Sequence, residues 1–239
     1  MKTRTKNNQN IKQITVIGLF IALAYAVSAV LPIKISFLTL DFKDVVSAIC
    51  GMFFGPLAGI VCAATVPFIE MITTSETGFY GLVMNLISSV AFVGISSIIY
   101  KYKKTIWGAV VGLVTASFVT MGLMTLANIV ITPYYLEFTT GMPLQAAKDT
   151  VTALLPTTII PFNVVKSIFN ASLVMFLYKP VSKALKGMGL AKSTTQKKEL
   201  SAEEKKALRL RSLVVTVLSI FVIIVALWVV VFVLHGELA

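Results

Sequence analysis

The sequence predicts an all-α, polytopic membrane protein: a six-helix bundle followed by one additional C-terminal transmembrane helix. Hydrophobic residues make up 57% of the 239-residue chain and charged residues 13%, whereas a typical soluble domain has about 25% charged residues. The apolar residues come in blocks of helical spanning length, a pattern that transmembrane barrels do not show. Because lipid offers no hydrogen-bond partners, the backbone of each block must pair with itself as a helix.

Seven apolar blocks place the predicted helices in order along the chain. They cover residues 14–31, 45–54, 57–72, 79–100, 106–131, 162–178 and 212–234. Gly55-Pro56 is a turn signal between the second and third blocks, although such a pair also occurs at kinks of continuous helices. The second block spans only about 15 Å as a helix, roughly half the thickness of the hydrocarbon layer. We therefore expect it to pack inside the bundle, as in a binding or transport fold.

Positive charge is concentrated in three polar stretches. All but four of the 21 Lys and Arg residues lie within residues 2–12, 101–104 and 179–211, and the formal net charge is +11. If Gly55-Pro56 is a turn, all three stretches lie on one side of the membrane, as the positive-inside rule requires. This choice predicts a cytoplasmic N-terminus, and an extracellular C-terminus if the seventh helix spans. No nucleic-acid motif accompanies the charge, so it indicates topology in a lipid bilayer and excludes nucleic acid as the partner.

The domain organisation predicted from these patterns has three parts. They are a six-helix membrane domain at residues 1–186, a basic cytoplasmic linker at residues 187–211 and the extra transmembrane helix at residues 212–239. The pattern Ser201-Ala-Glu-Glu is typical of a capping box, so a helix is expected to begin there and to run into the membrane.

The outer loops carry turn signals of their own. Residues 33–42 roughly alternate in polarity, which predicts a short hairpin over the bundle. Residues 132–150 are expected to form a loop with a short helix. Pro156 and Pro161 are expected to break the last bundle helix near its outer end, where exposed carbonyl groups can contact a ligand.

Lys166 is the most informative residue, because it lies alone in an apolar block. Asn163 and Asn170 share its helix face by their spacing. An ammonium group in hydrocarbon costs at least about 2.5–3.5 kcal/mol, so we expect Lys166 to face a polar cavity. Asn85 and Asn128 lie at a similar outer depth. An interhelical hydrogen bond would explain either amide alone, but together with Asn163 and Lys166 they predict a shared pocket for a small polar molecule.

Three further features have structural and functional interpretations. Asp44 is expected to cap the second helix, and Glu70 to reach the membrane interface. The small residues Gly18, Ala22 and Ala26 form a stripe on the first helix. They allow another helix to approach closely, although alanine is also simply common in membrane helices.

Catalytic chemistry has no support in the sequence. No phosphate-binding glycine loop with Lys-Ser/Thr, serine elbow or His-Glu-x-x-His pattern is present. The single histidine, His235, lies near the end of the chain, which argues against histidine catalysis or a histidine metal site. We predict no catalytic residue, no metal and no cofactor.

Three motifs give the chain a family resemblance over about residues 11–186. They are Phe37-Leu-Thr-Leu-Asp41-Phe-Lys-Asp44-Val45, Phe54-Gly-Pro-Leu-Ala-Gly59 and Pro161-Phe-Asn163-Val-Val-Lys166-Ser-Ile-Phe-Asn170. The chain resembles the riboflavin-specific S component, the substrate-binding subunit, of energy-coupling factor (ECF) vitamin transporters. The resemblance implies a vitamin pocket near the outer surface, covered by the loop after the first helix. It also implies a transmembrane coupling (T) component and two ABC-type ATPases as partners.

Residue roles follow from the resemblance and from flavin chemistry. The resemblance assigns flavin binding to Asn128, Asn163 and Lys166, and docking of the coupling component to Ala22 and Ala26. Amides and an ammonium group match the carbonyl, N–H, carbonyl edge of a flavin. The full set of predicted ligand-binding residues is Leu38, Thr39, Leu40, Asp41, Asn85, Asn128, Asn163, Lys166 and Asn170.

Riboflavin is expected as a transported ligand and not as a cofactor. Few cations lie on the outer side, which favours neutral riboflavin over the phosphorylated flavins FMN and FAD. Three alternatives remain open: an S component for another vitamin, a self-sufficient carrier, and a membrane scaffold whose basic tail recruits partners or anionic lipid. The seventh predicted helix departs from the six-helix pattern that the resemblance implies, so the resemblance assigns it no role.

Overall fold

The computed structural model describes residues 2–35, 38–40, 42–190 and 202–228, and it confirms an all-α membrane fold. These residues form eight helices and one two-stranded hairpin. In chain order the elements are α1 (Lys2–Val30), β1 (Ile33–Ile35), β2 (Leu38–Leu40), α2 (Lys43–Phe54), α3 (Pro56–Thr73), α4 (Gly78–Tyr102), α5 (Ile106–Thr140), α6 (Leu144–Leu154), a π-helical turn (Leu155–Ile159), α7 (Ile160–Gly187) and α8 (Ala202–Trp228).

Five helical segments are long and apolar enough to cross a membrane. They are Ile11–Val30, Pro56–Thr73, Gly78–Tyr102, Ile106–Thr140 and Leu144–Gly187. The remaining bundle helix, α2, has 12 residues, and its first ten are all buried. The short second helix therefore packs inside the bundle, as its length predicts.

Gly55 and Pro56 form a turn, which decides the topology of the bundle. Gly55 adopts φ +105°, a conformation that glycine reaches without steric cost. Its N–H donates to the carbonyl of Gly51 at 2.9 Å, and Pro56 begins α3, where a missing N–H costs nothing. The connections after α2 and α4 and the C-terminal end of α7 therefore lie at one end of the bundle, here called the basic end. The hairpin and the connections after α3 and α5 lie at the other, the hairpin end.

The hairpin forms where the alternating pattern predicts it. Strands β1 and β2 pair antiparallel, with Ile33 opposite Leu40 and Ile35 opposite Leu38. Phe42 occupies the cap position before α2, and no side chain caps that helix. The expectation that Asp44 is the cap is therefore wrong. Asp44 lies inside the first turn of α2, where the helix dipole favours a carboxylate.

Helix α5 extends further than the sequence predicts. It continues through Pro133 to Thr140 and ends at Gly141, which has φ +72°, so residues 132–140 are not the expected loop. Membrane helices tolerate such a proline because neighbouring groups satisfy the freed carbonyl. The expected short helix is α6, and the expected proline break is the π-helical turn before α7.

Helix α8 begins one residue after Ser201, which lies outside the described part of the chain. Its apolar segment in that part covers Leu213–Ala226, and α8 packs against α7. The three-part domain division therefore stays a prediction, since residues 229–239 are also outside the described part.

Candidate ligand-binding site

A cavity of about 560 Å³ lies at the hairpin end of the bundle. Helices α1 to α5, strand β2, the connection after α3 and the start of α7 all contribute to its wall. Small-molecule sites in proteins usually have about 300–1,000 Å³. The cavity is therefore large enough for a drug-sized or vitamin-sized molecule.

The cavity brings Lys166 together with amides from α5 and α7. The Lys166 ammonium donates to the Thr39 carbonyl at 3.1 Å, and Asn128 and Asn163 are 1% and 4% exposed. All four residues line the cavity. The cation is thus directed into a protein-lined space and against a backbone carbonyl of the hairpin.

Local bonds orient both amides toward the cavity. The Asn163 amide donates to the carbonyl of Ile159 at 2.8 Å, which belongs to the π-helical turn. The Asn128 amide donates to the Met124 carbonyl at 2.7 Å, and its oxygen accepts from Thr132 at 2.9 Å. Because an amide group has two N–H donors and one acceptor oxygen, each can still bond a ligand.

Six of the nine predicted ligand-binding residues line this cavity. They are Leu38, Thr39, Asn85, Asn128, Asn163 and Lys166. Asp41 lies outside the described residues. Leu40 is 0% exposed and packs in a buried apolar cluster, so its side chain does not reach the cavity.

Asn170 lies deeper and lines a second, water-sized cavity of about 10 Å³. Asp44 and Thr120 line the same space, together with Asn163 and Lys166. Within the described residues, the Asn170 Oδ1 and Thr120 Oγ1 atoms are buried without a hydrogen-bond partner. Asn170 is therefore placed beneath the large cavity, adjoining it through Lys166 and Asn163.

A buried ion pair at the cavity wall was not predicted. The Lys43 ammonium lies 2.6 Å from Glu70 Oε2, and Ser28 donates to Glu70 Oε1 at 2.6 Å. Lys43 is 2% and Glu70 8% exposed. The expectation that Glu70 reaches the membrane interface is therefore wrong, because its carboxylate faces inward and joins α1, α2 and α3. The sequence did hold a signal for this pair, because Lys43 and Glu70 carry opposite charges and are predicted at the same depth.

Aromatic side chains on α4 and α5 also contribute to the wall. Tyr80 and Tyr135 line the cavity, and their rings meet edge to face with centroids 5.8 Å apart. With Met124 and Phe162 they supply an apolar surface to a cavity that is otherwise amide- and charge-lined. The sequence analysis did not predict these tyrosines as site residues, because their positions are also typical of aromatic residues at the membrane interface.

The small residues of α1 lie on the outside of the bundle. Gly18, Ala22 and Ala26 are exposed, whereas Phe20 and Ala24 on the opposite face are buried. A second helix can approach this surface closely. Among the residues that the structure describes, no group of three His, Cys, Asp or Glu side chains is placed to hold a metal ion.

Comparisons with known proteins agree with one another. Residues 12–178 match the family described as ECF transporter, substrate-specific component. "Riboflavin transporter RibU" of Staphylococcus aureus (strain TCH60) is 28% identical over 189 residues, which are 77% of this chain and 97% of that protein. "Riboflavin transporter FmnP" of Bacillus subtilis (strain 168) is 28% identical over 181 residues, which are 71% and 93% of the two chains.

A solved structure shares the fold. It is described as "Structure and mechanism of the S component of a bacterial ECF transporter", with a TM-score of 0.57 and 26% identity. The match covers 76% of this chain and 99% of that chain.

Proposed function

This chain belongs to the substrate-specific components of ECF transporters, and on that premise we propose that it captures riboflavin in the hairpin-end cavity. The ligand is then delivered for ATP-driven uptake, with no chemical change. The observation that carries the proposal is the group of one ammonium and two oriented amides, Lys166, Asn128 and Asn163, in one cavity of about 560 Å³.

The chemistry of the wall matches the parts of riboflavin. The pyrimidine edge of the flavin presents two carbonyl oxygens and one N–H, which suit amides and an ammonium group. The tricyclic ring needs apolar and aromatic surface, which Leu38, Tyr80 and Met124 offer. The ribityl hydroxyl groups need polar partners. We assign that role to Asn85, together with Asp41 as the sequence predicts.

The charge of the wall favours the neutral vitamin. Lys43 and Lys166 are its basic residues among those described, and Glu70 and Glu76 are its acidic residues. The formal charges therefore cancel, and Lys43 is already held by Glu70. A phosphate group binds best to clustered cations, so we propose riboflavin and not FMN or FAD as the ligand.

We further propose the partners and the orientation that go with this family. The exposed small residues Gly18, Ala22 and Ala26 on α1 dock a transmembrane coupling (T) component, which links the chain to two ABC-type ATPases. The basic end faces the cytoplasm, since it carries the three basic stretches. The cavity then opens to the extracellular side.

Titration of the purified protein with riboflavin, followed by quenching of flavin fluorescence, tests this proposal. Lys166→Ala and Asn163→Ala each leave a polar group of the ligand unpaired, at a cost of about 1–3 kcal/mol. We expect about 10- to 100-fold weaker binding in each variant. Lys148→Ala is the matched control, because this cation is exposed on α6. Lys43 is unsuitable as a control because its removal leaves Glu70 buried.

Competition with FMN, biotin and thiamine in the same assay separates the alternatives. Riboflavin affinity that is unchanged in both variants would refute the pocket assignment. Equal competition by FMN contradicts the choice of the neutral flavin, and tight binding of another vitamin identifies a different ligand. A protein that binds none of these molecules supports the scaffold alternative.

A further inference from the structure

We propose that α8 is a brace for the binding site: it holds strand β2 against α7 and so positions the carbonyl group that Lys166 contacts. The identity of the ligand rests on the function proposed above, whereas the packing of β2 does not. Ile223 and Ala226 of α8 are assigned as positioning residues.

Helix α8 and the hairpin share one buried apolar cluster. Ala226 is 6% exposed and belongs to one cluster with Leu38, Leu40, Phe162 and Phe169. Ile223 packs against the same cluster. Three elements, β2, α7 and α8, therefore meet in a single apolar layer at the hairpin end.

Strand β2 belongs both to this layer and to the cavity wall. Leu38 belongs to the layer and also lines the cavity, while the neighbouring Thr39 carbonyl accepts the bond from Lys166 at 3.1 Å. Helix α8 contributes no residue to the cavity wall as described. Its influence on a ligand must therefore pass through the residues of the layer that also line the cavity, Leu38 of β2 and Phe162 of α7.

The hairpin needs support from outside. Each of its strands has three residues, and a two-stranded hairpin of this size is not stable by itself. In lipid, packing contacts and not the exclusion of water hold such elements together. The apolar cluster that β2 shares with α7 and α8 supplies those contacts.

Helix α8 is an addition to the matched fold. The family match ends at residue 178, and α8 begins at Ala202. The solved structure is covered over 99% of its length by only 76% of this chain. Helix α8 thus lies outside the family match, and the cluster that it shares with β2 and α7 supports a role in positioning the hairpin.

Two adjacent isoleucines provide a matched pair of variants in the full-length chain. Ile223 packs on the cluster, whereas its neighbour Ile224 is 61% exposed. Ile223→Ala removes packing from the layer, and Ile224→Ala removes the same atoms from the surface away from the bundle. A second variant, Ala226→Phe, overfills the layer and displaces β2 from it.

Hydrogen exchange in the ligand-free protein tests the brace directly. We expect exchange of the Leu38–Leu40 amides to accelerate about five- to tenfold in Ile223→Ala and Ala226→Phe, because local opening becomes easier. Amides in the middle of α4 and α5 should exchange as in the wild type. Riboflavin should also dissociate about fivefold faster, because easier local opening of β2 in the complex breaks the Lys166–Thr39 contact beside the ligand more often. Ile224→Ala should change each quantity less than about twofold.

The outcomes separate the brace from a merely structural helix and from the proposed function. Unchanged exchange at Leu38–Leu40 in both variants overturns the brace, even if the protein unfolds at a lower temperature. Faster exchange with unchanged riboflavin dissociation also overturns it, because β2 would then not act on the site. Failure of the wild-type protein to bind riboflavin refutes the proposed function. The hydrogen-exchange measurement still decides whether α8 supports β2.

Discussion

The two ends of the bundle are built from different interactions. At the basic end, glycines bring backbones together: a Cβ added to Gly59 would lie 2.6 Å from the Gly51 Cα atom. Tyr100 and Tyr178 complete this end with a hydrogen bond between their hydroxyl groups. At the hairpin end, the helices instead enclose a cavity of about 560 Å³, bordered by the Lys43–Glu70 ion pair.

This difference shows how one bundle combines rigidity with a binding space. Close backbone contact excludes ligand and lipid from the basic end and gains dispersion energy over many atoms. The hairpin end gives up that packing, so charges, amides and the hairpin must keep its helices in place. Substitutions at the basic end should therefore change stability alone, while those at the hairpin end should change stability and ligand binding together.

The largest effect is expected from breaking the ion pair of the hairpin end. Glu70→Gln removes the carboxylate charge that lies 2.6 Å from the buried Lys43 ammonium, and breaking a buried ion pair costs about 3–5 kcal/mol. We expect a marked fall in the thermal unfolding temperature of the detergent-solubilised protein and a higher ratio of FMN to riboflavin affinity. Glu137→Gln, at an exposed position of α5, should change neither.

Replacement of both partners sharpens that test. The double variant Lys43→Met/Glu70→Leu removes both charges and should recover most of the lost stability, because apolar replacement of a buried pair is often neutral. A double variant as unstable as Glu70→Gln would contradict an ion-pair origin of the effect.

An intermediate effect is expected at the glycine contact of the basic end. Gly59→Ala forces α2 and α3 apart, and overpacking of this kind costs about 1–3 kcal/mol. Gly122→Ala is the control, since no atom lies within 4 Å of its added Cβ. Thermal unfolding should show a loss only for Gly59→Ala, with riboflavin affinity unchanged in the folded fraction. Weaker binding in that fraction would contradict the separation between the two ends.

The smallest effect is expected for Tyr100→Phe. This change removes one hydroxyl group from the Tyr100–Tyr178 contact, worth about 0.5–1.5 kcal/mol. Tyr102→Phe, at 82% exposure, should have no measurable effect. Equal unfolding temperatures for the two variants would show that the tyrosine pair does not stabilise the basic end.

Local patterns predicted the parts of the fold that depend on local physics. Apolar blocks, a glycine-proline turn and an alternating segment placed the helices, the α2–α3 turn and the hairpin. The expectations that failed concern groups whose environment comes from distant segments. Pro133 does not end α5, Asp44 does not cap α2, and Glu70 does not reach the interface. In each case the surrounding helices, and not the neighbouring residues in sequence, determine the environment of the group.

The sequence by itself determined that this is a polytopic helical membrane protein with a cation and amides at one depth, since lipid penalises an exposed ammonium or an unpaired backbone group wherever the chain folds. Only the tertiary structure decided which residues surround the cavity. It buried Leu40 and Asn170 away from the cavity, joined Lys43 to Glu70 across 27 positions of the chain, and brought α8 and β2 into one apolar cluster. Those outcomes depend on how separate helices pack in three dimensions, and the spacing within one helix carries no information about that.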